Sequence, residues 1–165
     1  MADGVNIDIE GLKEIQAQLD SLSKEAGERA IRKALRAGAE IEKAAIETAA
    51  PVKDTTGGML PAGALKSDIT VKMKRDDQGG LIAVVGPGKL TQHVAGWVEY
   101  GHRLVTGGRS RKLANGKTKG PGTQVGTVPE HPFIRPAFES SQQAVADAIC
   151  TTLATEVEKA AKRKP

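Results

Sequence analysis

The sequence predicts an α+β fold, with a small antiparallel sheet packed by a long N-terminal helix and a C-terminal helix. Apolar residues recur at helical spacing over about 24–50 and again over about 136–162. Between them, residues 67–74 and 81–85 alternate apolar and polar side chains around a turn at 76–80. Separate groups of helices and strands are typical of α+β proteins. A chain of 165 residues has the length of one domain, so we expect 1–165 to form a single domain.

The strongest helical pattern is that of residues 24–50. One face of this helix is predicted to hold Ile31, Leu35, Gly38, Ile41, Ala45 and Ala49, and the opposite face is charged. Pro51 ends the helix, because the residue before a proline is driven out of the α region. Upstream, residues 5–9 predict a short strand and residues 11–22 a short helix. Downstream, residues 52–66, which include Gly57, predict a turn-rich linker.

Residues 93–100 favour a short helix, with a strand as the alternative, and the stretch that follows them differs in composition from the rest of the chain. Residues 101–129 contain seven glycines and no periodicity, which predicts a long flexible loop over 103–128. The basic residues of this loop, which contains no acid, are Arg103, Arg109, Arg111, Lys112, Lys117 and Lys119. The remaining chain holds 24 − 6 = 18 basic and 20 acidic residues. Three interpretations stay open: a solvated loop, a DNA contact or a contact with another subunit.

No residue pattern in the chain predicts catalysis, a cofactor or a metal. His93, His102 and His131 lack the close-spaced partners of a zinc site. Gly86-Pro87-Gly88-Lys89 lacks the spacing of a phosphate-binding loop, and no nucleophile signature occurs. No apolar run reaches the roughly 18 residues that span a bilayer, and no secretory signal is evident, so we expect a soluble, non-enzymatic protein made in the cytoplasm.

The four aromatic residues all fall between positions 97 and 138. We expect Phe133 and Phe138 to be buried against the strands at 67–85, with Trp97 and Tyr100 packed nearby. Glu99 is expected either to pair with Arg135 or to be solvated separately from it. So few aromatic residues make a thin core, which favours an oligomer whose subunit contacts supply further burial.

Several short motifs also occur in an order known from one protein family. They are Ala49-Ala50-Pro51, Thr56-Gly57, Leu65-Lys66-Ser67-Asp68-Ile69, Val84-Val85-Gly86, Val94-Ala95-Gly96-Trp97-Val98-Glu99-Tyr100-Gly101 and His131-Pro132-Phe133-Ile134-Arg135-Pro136-Ala137-Phe138. The ordered set resembles the tail-completion and head–tail joining proteins of long-tailed bacteriophages. On this resemblance, the structural motif positions are Pro51, Gly57, Gly101, Pro132, Phe133, Arg135, Pro136 and Phe138.

The resemblance implies a virion protein that forms a ring, with six subunits expected, at the neck where the tail meets the DNA-filled head. It implies contacts with a tail terminator or tail tube protein, with a head-completion or connector protein, and with DNA in the channel, and none with a membrane. Trp97, Glu99, Tyr100 and the six basic residues of the loop are the candidate contact residues. The alternatives are a tail terminator or connector protein and, from another class, a small DNA-binding protein that uses the basic loop.

Overall fold

The computed structural model describes residues 15–17, 19, 22–52, 60–106, 111–112, 118–119 and 122–162. The strand expected at 5–9 and Gly57 lie outside these residues, whereas 15–17 and 19 are helical, within the helix expected at 11–22. In chain order the elements are α1 (Lys24–Ala49), α2 (Ala64–Ser67), β1 (Ile69–Arg75), β2 (Leu81–Pro87), α3 (Gln92–Tyr100), β3 (His102–Thr106), β4 (Arg111–Lys112), β5 (Thr118–Lys119), β6 (Thr123–Val128) and α4 (Ile134–Lys162). The predicted α+β class, with long helices at both ends of this region, is confirmed.

Helix α1 begins and ends where the sequence predicts. The Ser23 hydroxyl accepts a hydrogen bond from the Ala26 N–H, which caps the N-terminus. The last turn closes with the Ala50 N–H donating to the Ile46 carbonyl oxygen at 2.8 Å, just before Pro51. The boundary that Pro51 predicts is therefore confirmed.

The buried stripe of α1 is formed mostly by small residues and is rotated from the predicted face. Ala30, Ala34 and Gly38 are buried together with Ile46, whereas the predicted Ile31, Leu35, Ile41 and Ala45 are half-buried and Ala49 is exposed. The reason is the close approach of α4. A Cβ atom on Gly38 would lie 2.6 Å from the Ile149 Cγ1, so the two helices meet where a larger side chain has no room.

Strands β1 and β2 form the predicted antiparallel hairpin, and the sheet packs on α1. Its turn is organised by Asp76, whose Oδ1 accepts from the N–H groups of Gln78 at 3.0 Å and Gly80 at 2.6 Å. The expected start of the strand at Ser67 is wrong. Helix α2 occupies Ala64–Ser67, and β1 begins at Ile69.

Phe133 lies at the centre of the main core, and the prediction for it is confirmed. It is 1% exposed and belongs to a cluster with Ile46, Leu65, Ile69 and Ala95. The corresponding prediction for Phe138 is wrong, because that side chain is 51% exposed. Helix α4 buries Ala137 instead, and successive helical residues point about 100° apart.

The loop predicted over 103–128 is wrong at its two ends, which pair as antiparallel strands. His102 is opposite Val128 and Thr106 is opposite Thr123, with a β-bulge beside Leu104 and Val105. Farther out, Arg111 pairs with Lys119 and Lys112 with Thr118. We call residues 102–128 the arm. Its strands could not be predicted from the sequence, because their apolar residues are exposed and glycines interrupt the alternation of apolar and polar residues.

Candidate functional site: an exposed arm beside an apolar cleft

The carboxylate of Glu99 fixes the junction between α3, the arm and α4. One oxygen accepts the N–H groups of Phe133 at 2.8 Å and Ile134 at 3.0 Å, and the other accepts that of Arg135 at 3.2 Å. Pro136 has no N–H to satisfy. Every unpaired backbone donor at the start of α4 is thus accounted for by a side chain from another helix. The carboxylate also sits at the positive end of the helix dipole, which stabilises its charge.

Glu99 was expected either to pair with the Arg135 side chain or to be solvated separately from it, and the structure shows neither arrangement. The residue is 4% exposed, so it is not solvated, and it binds the backbone N–H of Arg135 rather than the guanidinium. Burial alone raises the pKa of the Glu99 carboxyl. The three N–H donors and the nearby positive charge of Arg135 together outweigh burial, and the pKa of Glu99 lies below its ordinary value. Glu99 is therefore a buried positioning residue and not an exposed contact.

Gly101 turns the chain from α3 into the arm, in a conformation and a space that only glycine suits. Its φ is +68°, a value that residues with a side chain rarely adopt. A Cβ atom there would lie 2.7 Å from the Val128 carbonyl oxygen and 3.0 Å from the Glu130 N–H nitrogen. The return strand of the arm thus passes directly against this turn. The predicted structural role of Gly101 has this geometric cause.

The strands β3 and β6 of the arm have apolar side chains that the described body leaves uncovered. Leu104, Val105, Val125 and Val128 are all exposed. Beyond their pairing with each other, β3 and β6 make at most marginal contact with any other described helix or strand. An isolated two-stranded hairpin is at best marginally stable in water, so the arm is a structure that another surface would stabilise.

Trp97 extends this apolar surface from the body onto the arm. Its ring lies 5.3 Å from that of His102, at the first residue of β3, and 5.4 Å from that of His93, which meets it edge-on. Trp97 is 50% exposed. Tyr100 is 71% exposed, so neither of these two aromatic residues is buried in the core.

A cleft of about 700 Å³ opens between β2, α3 and the start of α4. Its exposed apolar side chains are Val84, Tyr100 and Phe138. Its charged side chains are the carboxylates of Glu42 and Glu99 and the guanidinium of Arg135, which gives the lining a formal charge of −1. The hydroxyl of Ser141 donates to Glu42, so this carboxylate is held between α1 and α4.

The remaining predicted site residues divide between the arm and the start of α4. Arg103 is exposed on β3, Arg111 and Lys112 lie in β4, and Lys119 lies in β5. Arg109 and Lys117 lie outside the described residues. Pro132 is half-buried before α4, and Arg135 and Pro136 are exposed in its first turn. Val84 occurs in the motif Val84-Val85-Gly86 but is not among the predicted site residues, and neither is Glu42.

Two kinds of site can be assessed over the part of the chain that the structure describes. No group of three or more histidine, cysteine, aspartate or glutamate side chains there could hold a metal ion. Among the same residues, no helix has both the length and the apolar character needed to cross a membrane.

An α+β subunit with uncovered apolar surfaces on an arm and in a cleft has the features of a protein that associates with other proteins. A family model described as the bacteriophage HK97-gp10 tail component matches residues 13–101, more than half of the chain. The protein therefore belongs to the HK97-gp10-like family of phage tail components, which have a structural role. Neither the curated proteins nor the solved structures gave a match. The family match ends at Gly101, so the arm and α4 lie beyond it.

Proposed function

We propose that this protein forms a ring, expected to have six subunits, at the head–tail junction and completes the tail for joining to the DNA-filled head. The tail-component family supports a place in the virion. The observation that carries the ring is the exposed arm, whose apolar residues Leu104, Val105 and Val125 have no cover within the described subunit. A tail terminator or tail tube protein on one side and a head-completion or connector protein on the other are the proposed partners.

Ring formation is tested with the purified full-length protein, alone and mixed with tail tubes, by sedimentation and negative-stain microscopy. We expect rings of uniform diameter that bind one end of the tubes. Omission of the protein from infected cells is expected to leave finished tails and filled heads unjoined. Monomers at high concentration, in the presence of tubes as well, would show that the protein does not act as a ring. A ring that instead stops tube growth would assign it as a tail terminator.

The basic residues of the arm are proposed to contact an acidic partner surface or the DNA phosphates in the channel. Their charge contrasts with the net acidity of the remaining chain, and ionic contacts of this kind weaken with salt. We expect replacement of Arg109, Arg111, Lys112, Lys117 and Lys119 by serine to reduce the joining of heads to tails, most strongly at low salt, where the wild-type contact is least screened.

The matched control replaces five exposed basic residues of the body by serine, namely Arg36, Lys66, Lys72, Lys74 and Lys89. It changes the net charge equally and should join heads at the normal yield. Normal infectious yield of the arm variant across a range of salt would exclude an assembly role for these charges. A gel shift of DNA by the monomeric wild-type protein, weakened by added salt, would instead favour the DNA-binding alternative.

A further inference from the structure

Strand β2 has an outer edge whose backbone groups β1 does not use. At one end of the hairpin, the Gly88 N–H donates to the Asp68 carbonyl oxygen at 2.6 Å. Hydrogen-bonded pairs alternate along an antiparallel ladder, so the even-numbered residues of β2 turn their N–H and C=O groups towards β1. The N–H and C=O groups of Leu81, Ala83 and Val85 therefore point away from β1, and none of them is hydrogen-bonded to a described residue.

This edge forms one side of the cleft. Three consecutive residues of β2, namely Ala83, Val84 and Val85, line the cleft, and no residue of β1 does. A row of unpaired backbone groups on an edge strand is a template for the pairing of one more strand. An extended chain, which presents a donor and an acceptor to its neighbour on every second residue, is therefore the occupant whose chemistry fits this side of the cleft.

The exposed charges around this edge are positive. The carboxylates of Glu42 and Glu99 are buried and already accept hydrogen bonds. Arg135, in the lining of the cleft, is exposed, and so are Lys72 and Lys74 on the face of the hairpin that is turned away from α1. An extended occupant with acidic and no basic residues is therefore favoured.

The first ten residues of the chain, which precede the described part, have this composition. They contain Asp3, Asp8 and Glu10 and no lysine or arginine. Within them, the sequence Val-Asn-Ile-Asp-Ile of residues 5–9 predicts a strand with one apolar face. The segment thus has both the extended backbone and the charge that fit the edge of β2.

The course of the chain brings this segment close to the cleft. Leu19 lies against the start of α1, with its Cδ2 3.6 Å from the position of a Cβ atom on Gly27. The Arg75 guanidinium binds the Glu28 carboxylate at 2.6 Å, so the turn of the hairpin, where β2 begins, is beside the same end of α1. From residue 15 back to residue 9, the chain can span up to about 20 Å. Residues 5–9 can therefore reach β2 and would run antiparallel to it, since the chain leads towards the end where β2 begins.

The position of Leu19 also favours the edge of β2 over that of β1. Gly27 and Gly38 lie on one face of α1, because 38 − 27 = 11 residues make about three helical turns. Gly38 faces Ile149 of α4, so Leu19 lies on the side of α1 that α4 covers. The cleft lies between β2 and the start of α4, whereas the free edge of β1 is at the other side of the hairpin.

We propose that residues 5–9 of the same chain add to the free edge of β2 as an antiparallel third strand. In the register that satisfies the free backbone groups, the facing pairs are Val5 with Val85, Ile7 with Ala83 and Ile9 with Leu81. These side chains lie on the face of the sheet that packs on α1, where Val85 contacts the core. A shift by one residue would turn Asn6 and Asp8 to that face. The contact closes the open edge within one subunit, and it does not depend on the proposed ring.

Cysteine pairs test this contact in the full-length protein, after replacement of its single cysteine by Cys150→Ser. Asp8→Cys with Ile82→Cys places two cysteines at facing positions that are not hydrogen-bonded, where Cα atoms are about 4.5 Å apart, within the reach of a disulfide. We expect mild oxidation to close this disulfide inside the monomer, as shown by mass spectrometry of the linked peptides. Asp8→Cys with Lys74→Cys is the matched control. Lys74 is opposite Ile82 on β1, one strand farther away at about 10 Å, so this pair should stay reduced.

Amide hydrogen exchange gives a second readout that separates loss of the strand from unfolding. Ile7→Asp should speed exchange at the Ala83 and Val85 amides about tenfold or more, because its carboxylate would face the apolar side of the sheet and the strand would leave. The amides of Ile82 and Val84 bond to β1 in the hairpin and should keep their wild-type protection. Asn6→Asp adds the same charge on the outer face, so exchange at all four amides should stay as in the wild type.

Three outcomes would overturn the third strand. A disulfide in the Lys74→Cys control but not in the Ile82→Cys pair would place the segment at the edge of β1. Covalent dimers in place of closed monomers would show that the edge of β2 receives the segment of another copy. Exchange at Ala83 and Val85 that is as fast in the wild type as in Ile7→Asp would show that no strand covers this edge.

Discussion

Replacement of Phe133 by alanine is expected to lower the free energy of unfolding by about 3–5 kcal/mol. Phe133 is among the largest fully buried side chains of the described structure, at the centre of a core otherwise made of aliphatic side chains and alanine. Nothing nearby is large enough to fill the cavity, so the lost packing is not recovered by collapse. Chemical denaturation followed by circular dichroism measures the change, and a loss below about 1 kcal/mol would contradict the central position of Phe133.

Phe138→Ala is the matched control, because it removes the same type of side chain five residues later, inside α4. Phe138 is half-exposed at the cleft, so its loss should cost about 1 kcal/mol or less in the free subunit. The sequence alone predicts a similar cost for both phenylalanines. If Phe138 lines an interface, its replacement should weaken association between copies while stability is retained.

Replacement of Glu99 by alanine is expected to destabilise the protein by about 3 kcal/mol or more. Three backbone N–H groups, those of Phe133, Ile134 and Arg135, lose their acceptor, and each buried donor left unpaired costs about 1–3 kcal/mol. Glu99→Gln keeps one oxygen acceptor and should lose less. The measurement is again equilibrium unfolding near pH 7. A neutral Glu99→Ala variant would show that water or another group caps α4.

Glu99 also gives stability a pH dependence of defined sign. Its pKa is lowered in the folded protein, so its contribution is complete above the unfolded pKa of about 4.3 and is lost as the pH falls through the folded value. The wild type should therefore lose more stability on acidification than Glu99→Gln does. Glu28→Gln is the comparison. The pKa of Glu28 is lowered by hydrogen bonds from Arg75 and Arg32 at a partly exposed surface position, where salt screens the effect. An equal acid dependence in all three proteins would exclude the cap as its source.

The elements that the sequence predicts well are those whose signal is local. Helix α1 is predicted by the spacing of its apolar residues and by Pro51. The β1–β2 hairpin is predicted by the alternation of apolar and polar residues on either side of Asp76 and Gly79. The strands of the arm are different. Their pairing joins His102 to Val128 across a glycine-rich stretch, and neither strand has one face buried in the subunit. Apolar and polar residues alternate in a strand when one face of it is buried. The strands of the arm have no buried face, so their sequence lacks this alternation.

The candidate site was predicted only in part for a related reason. Glu99 was singled out, but its partners lie 34 to 36 residues away along the chain, and only the tertiary fold brings them together. One signal was available: residues 130–133 offer α4 no serine, threonine, aspartate or asparagine cap. A helix without its own cap requires an acceptor from elsewhere. The positions of Val84 and Glu42 in the cleft could not be predicted in this way, because they depend on how β2 and α1 pack in the tertiary fold.

The packing of α1 against α4 has a consequence for folding during synthesis on the ribosome. The first residue of α4 comes 134 − 49 = 85 positions after the last residue of α1, and synthesis of that length takes roughly 4–17 s at about 5–20 residues per second. During that interval the nascent chain has no Phe133 for its core and nothing to cover the small-residue stripe of α1. The cleft is also incomplete during this interval, because one of its walls is formed by Ile134, Arg135 and Phe138. A half-made chain therefore lacks the finished cleft, and its uncovered α1 stripe is open to non-native contacts until α4 has been made.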